Sequence, residues 1–225
     1  IYTGEDTLSL HDALPISLAA DVSDSAQTAP PFSYPMMTPA PCLYLASASP
    51  RRRELLTQLG VAFALLRVDV EEVRRPDEPA ETYVRRLAAD KALAGWQACA
   101  GQLPVLGADT IVVLDGDVLE KPRDQQDAAR MMRLLSGRTH QVMTAIAVAS
   151  ASGISQRLVV TDVTFRALDE AEIAAYWQTG EPADKAGGYG IQGRAATWVA
   201  RIEGSFSGIV GLPLFELEQI GRAHV

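Results

Sequence analysis

The sequence predicts one α/β domain built around a mixed β-sheet. Segments with helical spacing alternate with strand-like segments along most of the chain, an order typical of α/β proteins. An Asp-Gly pair at 115–116 and a Ser-Gly pair at 152–153 each separate two strand-like runs and predict antiparallel hairpins within the sheet. Hydrophobic residues make up 48% of the 225 residues, which is enough for a buried core and too many for a wholly disordered chain.

The amino-terminal elements follow from local signals. Residues 43–46 form a short apolar run and predict the first strand. Ser49-Pro50 then starts a helix that Gly60 ends, because serine caps helices, proline fits the first turn and glycine favours the position after the last turn. Residues 61–70 predict a second strand, and apolar residues at helical spacing over 80–96 predict the next helix.

The remaining elements are predicted in the same way. Residues 105–114 are mostly apolar, as in a strand that is buried on both faces. Asp169 gives the helix over 169–178 an acidic start of the capping type. The other predicted elements are a helix at 124–135, strands at 141–149, 158–165 and 196–202, and a final helix after Gly211-Leu212-Pro213.

The two ends of the chain differ from its middle. Both ends can be encoded by complementary codons that resemble a sequencing adapter translated in frame, so we expect residues 1–16 and 220–225 to be adapter-derived. Residues 17–42 are rich in alanine, serine, proline and threonine. We therefore expect 1–42 to be a disordered or non-native leader and 43–219 to be the folded domain.

Charge and composition exclude several classes of protein. Acidic residues outnumber basic ones by 28 to 20, a net charge of −8, whereas a general nucleic-acid binder needs a basic surface. Cys42 and Cys99 are too few for a disulfide framework or a cysteine-rich zinc site. No apolar run approaches the roughly 18 residues that cross a bilayer. We therefore expect a cytoplasmic protein with neither nucleic-acid nor membrane partners.

Cationic and glycine-rich segments are the candidates for binding an anion. Ser47, Arg51 and Arg52 lie where a predicted strand leads into a helix, so free backbone N–H groups, the helix dipole and forked guanidinium donors coincide. Lys121 follows the predicted hairpin and is a second candidate phosphate ligand. The run 187–193 has four glycines that let backbone approach a ligand, and a glutamine that can read a base edge. Individually, these segments are also compatible with a capped helix, an exposed lysine and a flexible loop.

Three acidic residues are candidates for proton transfer or metal binding. Asp109 lies inside the apolar run 105–114, where a carboxylate is costly to bury unless it has a partner or a function as metal ligand or general base. Glu71 and Glu72, at the end of a predicted strand, can supply oxygens to Mg²⁺ or Mn²⁺. The structural alternatives are a carboxylate satisfied by backbone donors and a solvated acidic pair. Combined with the cations and the glycine-rich loop, these carboxylates suggest hydrolysis of a nucleotide polyphosphate.

Six short motifs then point to a known family. They lie at 47–52, 107–110, 120–122, 136–144, 184–193 and 211–214. In these motifs and their order the chain resembles the Maf-like nucleoside triphosphate pyrophosphatases, from about residue 43 to residue 218. The form Lys-Ala-Gly-Gly-Tyr-Gly-Ile-Gln-Gly at 185–193 is similar to the subfamily that acts on dTTP and UTP.

The resemblance implies a fold, a reaction and a set of residues. The implied fold is that of inosine triphosphate pyrophosphatases, an elongated mixed sheet flanked by helices with two lobes around a cleft. The implied reaction is hydrolysis of dTTP and UTP to the monophosphate and pyrophosphate with Mg²⁺ or Mn²⁺, as nucleotide-pool house-cleaning, and a homodimer is left open. Asp109 is the implied proton acceptor, and Glu71 or Glu72 the implied metal ligand. The residues implied in substrate binding are Ser47, Arg51, Arg52, Lys91, Thr110, Lys121, Lys185 and Gln192.

Two other functions remain open at this point. One is the same reaction on 7-methyl-GTP or another noncanonical nucleotide, which a comparison of rates on purified triphosphates distinguishes. The other is a regulator of cell division that binds nucleotides without hydrolysing them. Tight binding without pyrophosphate release would indicate the latter.

Overall fold

The computed structural model describes residues 39–223, in which a seven-stranded sheet is flanked by helices. The strands are β1 (Leu43–Leu45), β2 (Phe63–Leu65), β3 (Val105–Leu114), β4 (Asp117–Leu119), β5 (Thr139–Ser150), β6 (Gly153–Phe165) and β7 (Val199–Glu203). The helices are α1 (Pro50–Gln58), α2 (Ala80–Ala98), α3 (Gln125–Leu135), α4 (Glu170–Trp177), α5 (Phe206–Val210) and α6 (Leu214–Ala223). Three short 3₁₀ turns lie at Glu181–Asp184, Ala186–Gly188 and Arg194–Trp198.

The sheet is mixed, as the sequence predicts. Its strand order is β2-β1-β3-β5-β6-β7, with β4 paired to β3. Strand β1 pairs in parallel with β2 and β3, whereas the other pairs are antiparallel. The predicted fold class is therefore confirmed. Residues 1–38 of the predicted leader lie outside the part of the chain that the structure describes. At the other end, α6 extends through Ala223.

A gap in the sheet opens beside the middle of β3. One edge of β3 pairs with β5 over nearly its whole length. The other edge pairs with β1 as far as Leu106 and with β4 from Val112 onward. Residues 107–111 therefore have no strand partner on that edge among the described residues. This stretch contains Asp109 and Thr110, so the predicted chemistry lies where the sheet is open.

The alternation of β3 and β5 directs their side chains into two separate cores. One core, under α2, contains Leu87 with Ile111 and Met143. The core on the opposite face contains Trp198 and Ile146 together with the inner faces of α1, α3 and α4. Since successive strand residues point to opposite faces, Asp109 points toward α2 and Thr110 points away from it.

Helix starts agree with the predicted caps. The Ser49 hydroxyl accepts a hydrogen bond from the backbone N–H of Arg52, and proline occupies the first turn of α1. Asp169 and Glu172 form a reciprocal capping box at the start of α4. Both interactions satisfy N–H groups that the first helical turn leaves free.

Four elements differ from the sequence prediction. Strand β6 begins at Gly153, whereas the sequence predicts this strand over 158–165. The strand expected over 61–70 is only three residues long, because its one partner, β1, ends at Leu45 and the chain beyond β2 turns to line a cleft. The strand expected over 196–202 begins at Val199, after the 3₁₀ turn at Arg194–Trp198. Helix α5 was not predicted, since five residues are too few to show a helical period.

Gly107 lets α2 lie directly against β3, and an alanine there is expected to destabilise the fold. Its Cβ would lie 2.6 Å from the Ala92 nitrogen and closer still to the Ala88 carbonyl oxygen. Both atoms are backbone and cannot rotate away, so we expect a loss near the upper end of overpacking costs, about 3 kcal/mol. Chemical denaturation of Gly107→Ala measures this loss.

Gly221→Ala is the matched control for that measurement. It lies in α6, and an added Cβ there would meet none of the described atoms within 4 Å. A change within about 1 kcal/mol is expected, since alanine favours the helical state over glycine. Equal effects at the two glycines would contradict the packing explanation.

Candidate active site

A cleft of about 990 Å³ lies over the gap in the sheet. Its walls come from the β1–α1 connection, the chain after β2, one side of α2, the open part of β3, the start of the β4–α3 connection and residues 181–193. These segments are far apart in sequence. The cleft is large enough to hold a drug-sized or nucleotide-sized ligand.

A buried ion pair forms the floor of the cleft on the α2 side. Lys91 Nζ lies 2.7 Å from Asp109 Oδ1 and 2.5 Å from Glu72 Oε1, so one ammonium joins two carboxylates. Lys91 and Asp109 are 9% and 7% exposed, whereas Glu72 is exposed to the cleft. Burial raises the pKa of Glu72, but the hydrogen bond and charge of Lys91 outweigh it and leave the pKa below its usual value. The carboxylates of Glu72 and Asp109 therefore flank one cation at this point.

Tyr83 joins this group to a third carboxylate. Its hydroxyl donates to the Glu72 carbonyl oxygen at 3.1 Å and lies 3.4 Å from Glu120 Oε1. Burial, followed by the negative charges of Glu120 and Asp109, raises the pKa of Tyr83 to about 12. The phenol therefore stays neutral and acts as a hydrogen-bond donor at neutral pH.

Arg52 is the central cation on the opposite face of β3. Its Nε donates to the Gly211 carbonyl at 2.8 Å, one terminal nitrogen donates to Thr110 Oγ1 at 3.1 Å and the other to Ser47 Oγ at 3.4 Å. Burial lowers the pKa of Arg52, although Asp109 and Glu72 oppose this shift, and a guanidinium remains charged regardless. No carboxylate of the described residues lies within ion-pair distance of it, so its charge is available to an anionic ligand.

Arg51, Lys121 and Lys185 add positive charge around the rim. Arg51 Nη1 lies 3.7 Å from Asp184 Oδ2. Lys121, whose side chain is largely exposed, places its Nζ 3.7 Å from Glu72 Oε2. Lys185 Nζ contacts Asp184 at 2.6 Å and the Glu181 carbonyl at 2.7 Å. The carboxylate of each pair is exposed and such pairs are weak, so a polyanion can displace the carboxylates.

The structure brings nearly all predicted site residues to this one cleft. Those that line it are Ser47, Arg51, Arg52, Glu72, Lys91, Asp109, Thr110, Lys121, Lys185 and Gln192. Glu71 is the exception, because it lines a second depression together with Arg74 and Arg86. The path of the chain after β2 therefore places Glu71 and Glu72 in different depressions.

Sequence reasoning missed three side chains that organise the cleft. Tyr83 and Glu120 hydrogen-bond beside the ion pair, and Thr144 contacts Thr110 across the sheet. Tyr83 lies within 80–96, where the sequence predicts a helix and no site residue other than Lys91. The Thr110–Thr144 contact depends on strand register, which the sequence does not show.

A buried histidine supports the glycine-rich wall of the cleft. His140 Nε2 lies 2.8 Å from the Tyr189 hydroxyl, and both rings pack edge-on against Phe165. Burial lowers the pKa of His140 to about 4, while the negative charge of Asp162 opposes the shift. His140 is therefore neutral at physiological pH and acts as a structural hydrogen-bond partner of the loop.

Protein stability is expected to fall on mild acidification because of His140. The unfolded chain protonates this histidine near pH 6.5 and the folded protein only near pH 4, so the unfolded state binds more protons between these values. Between pH 7 and pH 5 the loss should be about 2 kcal/mol. Urea denaturation of wild type and His140→Gln at both pH values measures it.

Tyr189→Phe is the control for the pH experiment, since it keeps the histidine and its burial. It should retain the dependence on pH, whereas His140→Gln should lose it. An equal pH dependence in wild type and His140→Gln would exclude His140 as the source.

The fold and the cleft together define an α/β protein with a cationic, carboxylate-containing ligand site. A family model described as Maf-like protein matches residues 42–223. The dTTP/UTP pyrophosphatase of Saccharophagus degradans is 59% identical over 181 residues, which cover 79% of this chain and 86% of that protein. The protein of the same name from Escherichia coli O6:K15:H31 is 59% identical over 178 residues, covering 79% and 90%. This chain belongs to the Maf-like protein family.

Two solved structures show a distant likeness. The nucleoside-triphosphatase / dITP/XTP pyrophosphatase of Mycobacterium abscessus has a TM-score of 0.38 at 18% identity, covering 55% of this chain and 73% of that one. The Staphylococcus aureus Ham1 protein has a TM-score of 0.38 at 11% identity, covering 55% and 71%. Both are too distant to define the fold, which is established by the strand order. None of the described helices is long and apolar enough to span a membrane.

Proposed function

We propose that this protein hydrolyses dTTP and UTP to the nucleoside monophosphate and pyrophosphate. The observation that supports this most directly is that one open cleft contains both the buried carboxylate of Asp109 and the guanidinium of Arg52, which has no carboxylate partner among the described residues. The names of the curated relatives supply the substrate class. The nucleotide binds with its phosphates over the gap in the sheet and its base against residues 185–193.

The cations bind and orient the triphosphate. Arg52 is already held by Gly211, Ser47 and Thr110, so little rearrangement is needed when a phosphate oxygen binds it. Arg51, Lys121 and Lys185 exchange exposed carboxylate partners for phosphate oxygens. Fixed positive charge of this kind stabilises the negative charge that develops on the phosphates during bond cleavage.

Asp109 is the proton acceptor in this proposal. Its contact with Lys91 holds the carboxylate at the floor of the cleft, where it faces the attacking water. Water attack breaks the bond between the α- and β-phosphates, the proton passes to Asp109, and pyrophosphate leaves. Gln192 reads the pyrimidine edge, since its amide offers both a donor and an acceptor.

The carboxylates also fit a divalent cation that binds with the substrate. Glu72 and Asp109 contact the same ammonium and therefore lie close together. The Tyr83 hydroxyl links Glu120 to Glu72. No group of three or more metal-ligating side chains is preassembled among residues 39–223. This arrangement suits Mg²⁺, which binds through one or two carboxylates plus phosphates and water. Glu72 would hold Mg²⁺ or Mn²⁺, which when bound supplies charge neutralisation to the phosphate oxygens, and Asp109 stays free to accept the proton.

Pyrophosphate release from a panel of nucleotides tests the proposed function. The purified chain is incubated with dTTP, UTP, CTP and 7-methyl-GTP in the presence of Mg²⁺ or Mn²⁺. We expect the highest kcat/KM on dTTP and UTP. A preference for 7-methyl-GTP would reassign the substrate, and tight binding without pyrophosphate release would identify a nucleotide-binding regulator. The cytoplasmic location stays a prediction.

A further inference from the structure

We propose that Thr144 is a positioning residue that fixes the orientation of Arg52 through Thr110. Thr144 is 1% exposed, so it cannot touch a ligand directly. It lies in β5 directly opposite Thr110 of β3, and the two hydroxyl oxygens are 2.9 Å apart. The inference rests on the proposed function only in assigning a triphosphate to the cleft.

The number of hydroxyl protons determines which group donates in the hydrogen bonds that join Arg52, Thr110 and Thr144. Thr144 Oγ1 lies 2.8 Å from the Gly208 carbonyl oxygen, which can only accept. The single hydroxyl proton of Thr144 is therefore used there. Between the two threonines, Thr110 must then be the donor and Thr144 the acceptor. The proton of Thr110 is thus committed, and its oxygen accepts from the guanidinium of Arg52.

This order of donors and acceptors favours a fixed orientation of the Arg52 guanidinium. A hydroxyl that donates one hydrogen bond becomes a better acceptor for another, so the contact with Thr144 strengthens the bond from Arg52 to Thr110. With Gly211 and Ser47 as the other two acceptors, one N–H on each terminal nitrogen of Arg52 remains for a ligand. Without Thr144, the Thr110 hydroxyl can rotate, and the guanidinium loses a fixed contact.

The same contacts tie the site to α5. Gly208 lies in α5, and Gly211 follows that helix directly. Arg52 thus contacts this segment twice, directly through Gly211 and indirectly through the two threonines. Anchoring at both points restricts the side chain to one orientation, which reduces the entropy lost when a phosphate binds.

Binding of inorganic tripolyphosphate to the full chain tests the proposal without requiring turnover. Thr144→Val keeps the shape of the side chain and removes the hydroxyl. Calorimetric titration should show binding weakened about tenfold, equivalent to about 1.4 kcal/mol. Thr144→Ser restores the hydroxyl and should bind within about twofold of wild type. In nucleotide assays, KM should rise more than kcat falls, as expected when binding of the phosphates is weakened throughout the reaction.

Thr164→Val is the matched control. Thr164 forms the same kind of cross-strand contact, 2.8 Å to Thr139, in the same sheet but outside the residues that line the cleft. Its replacement should leave tripolyphosphate binding unchanged. Should Thr144→Val fail to fold, Thr144→Cys fills nearly the same volume with a weak hydrogen-bonding group and should weaken binding in the same direction.

Two results would overturn the proposal. One is wild-type tripolyphosphate binding by folded Thr144→Val or Thr144→Cys. The other is an equal loss in Thr144→Ser and Thr144→Val, which would indicate a packing effect. If the wild-type chain binds tripolyphosphate but hydrolyses neither dTTP nor UTP, the proposed function fails while the role of Thr144 is still measured.

Discussion

Replacing Asp109 with asparagine is expected to lower the rate of pyrophosphate release by roughly 10²- to 10⁴-fold, the usual contribution of a general base. The amide keeps the size of the side chain and can still accept a hydrogen bond from Lys91, but it cannot take a proton from water. Glu72 remains in contact with Lys91, so the ammonium is not left without an anion. Substrate binding should therefore change much less than kcat.

Steady-state pyrophosphate release with dTTP and UTP checks this expectation. Asp117→Asn is the control. Asp117 is an exposed aspartate at the start of β4, the strand that forms a hairpin with β3, and it lies outside the cleft. It should retain the wild-type rate. Wild-type turnover by folded Asp109→Asn would refute the assignment of Asp109 as the proton acceptor.

Replacing Arg52 with lysine is expected to lower kcat/KM by roughly 10²- to 10³-fold, the range found when one fixed donor to a developing charge is removed. The substitution keeps the positive charge. An ammonium on a flexible stem cannot donate to Gly211, Ser47 and Thr110 at once and still present two parallel N–H groups to a phosphate. Arg52→Lys therefore removes the fixed hydrogen-bonding geometry and keeps the charge.

Arg53→Lys is the matched control for that experiment. Arg53 is the next residue of α1, is exposed and does not line the cleft. Its kcat/KM should stay within about twofold, since surface substitutions rarely disturb a site. Equal effects at the two arginines would mean that α1 contributes only a diffuse positive field. A substantially retained kcat/KM in Arg52→Lys would show that charge suffices.

Local chemistry made much of the site predictable. Ser49 and Pro50 specify the start of α1, and the apolar run around Asp109 specifies a buried strand, because caps and hydrophobic patterns act over a few residues. The motif order identified the family. These signals do not depend on how distant segments meet, so they could be interpreted before the fold was known.

Strand pairing determined the rest. The ten-residue run predicted at 61–70 is a three-residue strand because β1 offers it only three partners. Which acidic residue faces the cleft, Glu71 or Glu72, depends on the path of the chain after β2. The role of Thr144 depends on its register opposite Thr110. Register and sheet order are long-range properties, and a one-residue shift of β5 would turn Thr144 to the other face of the sheet.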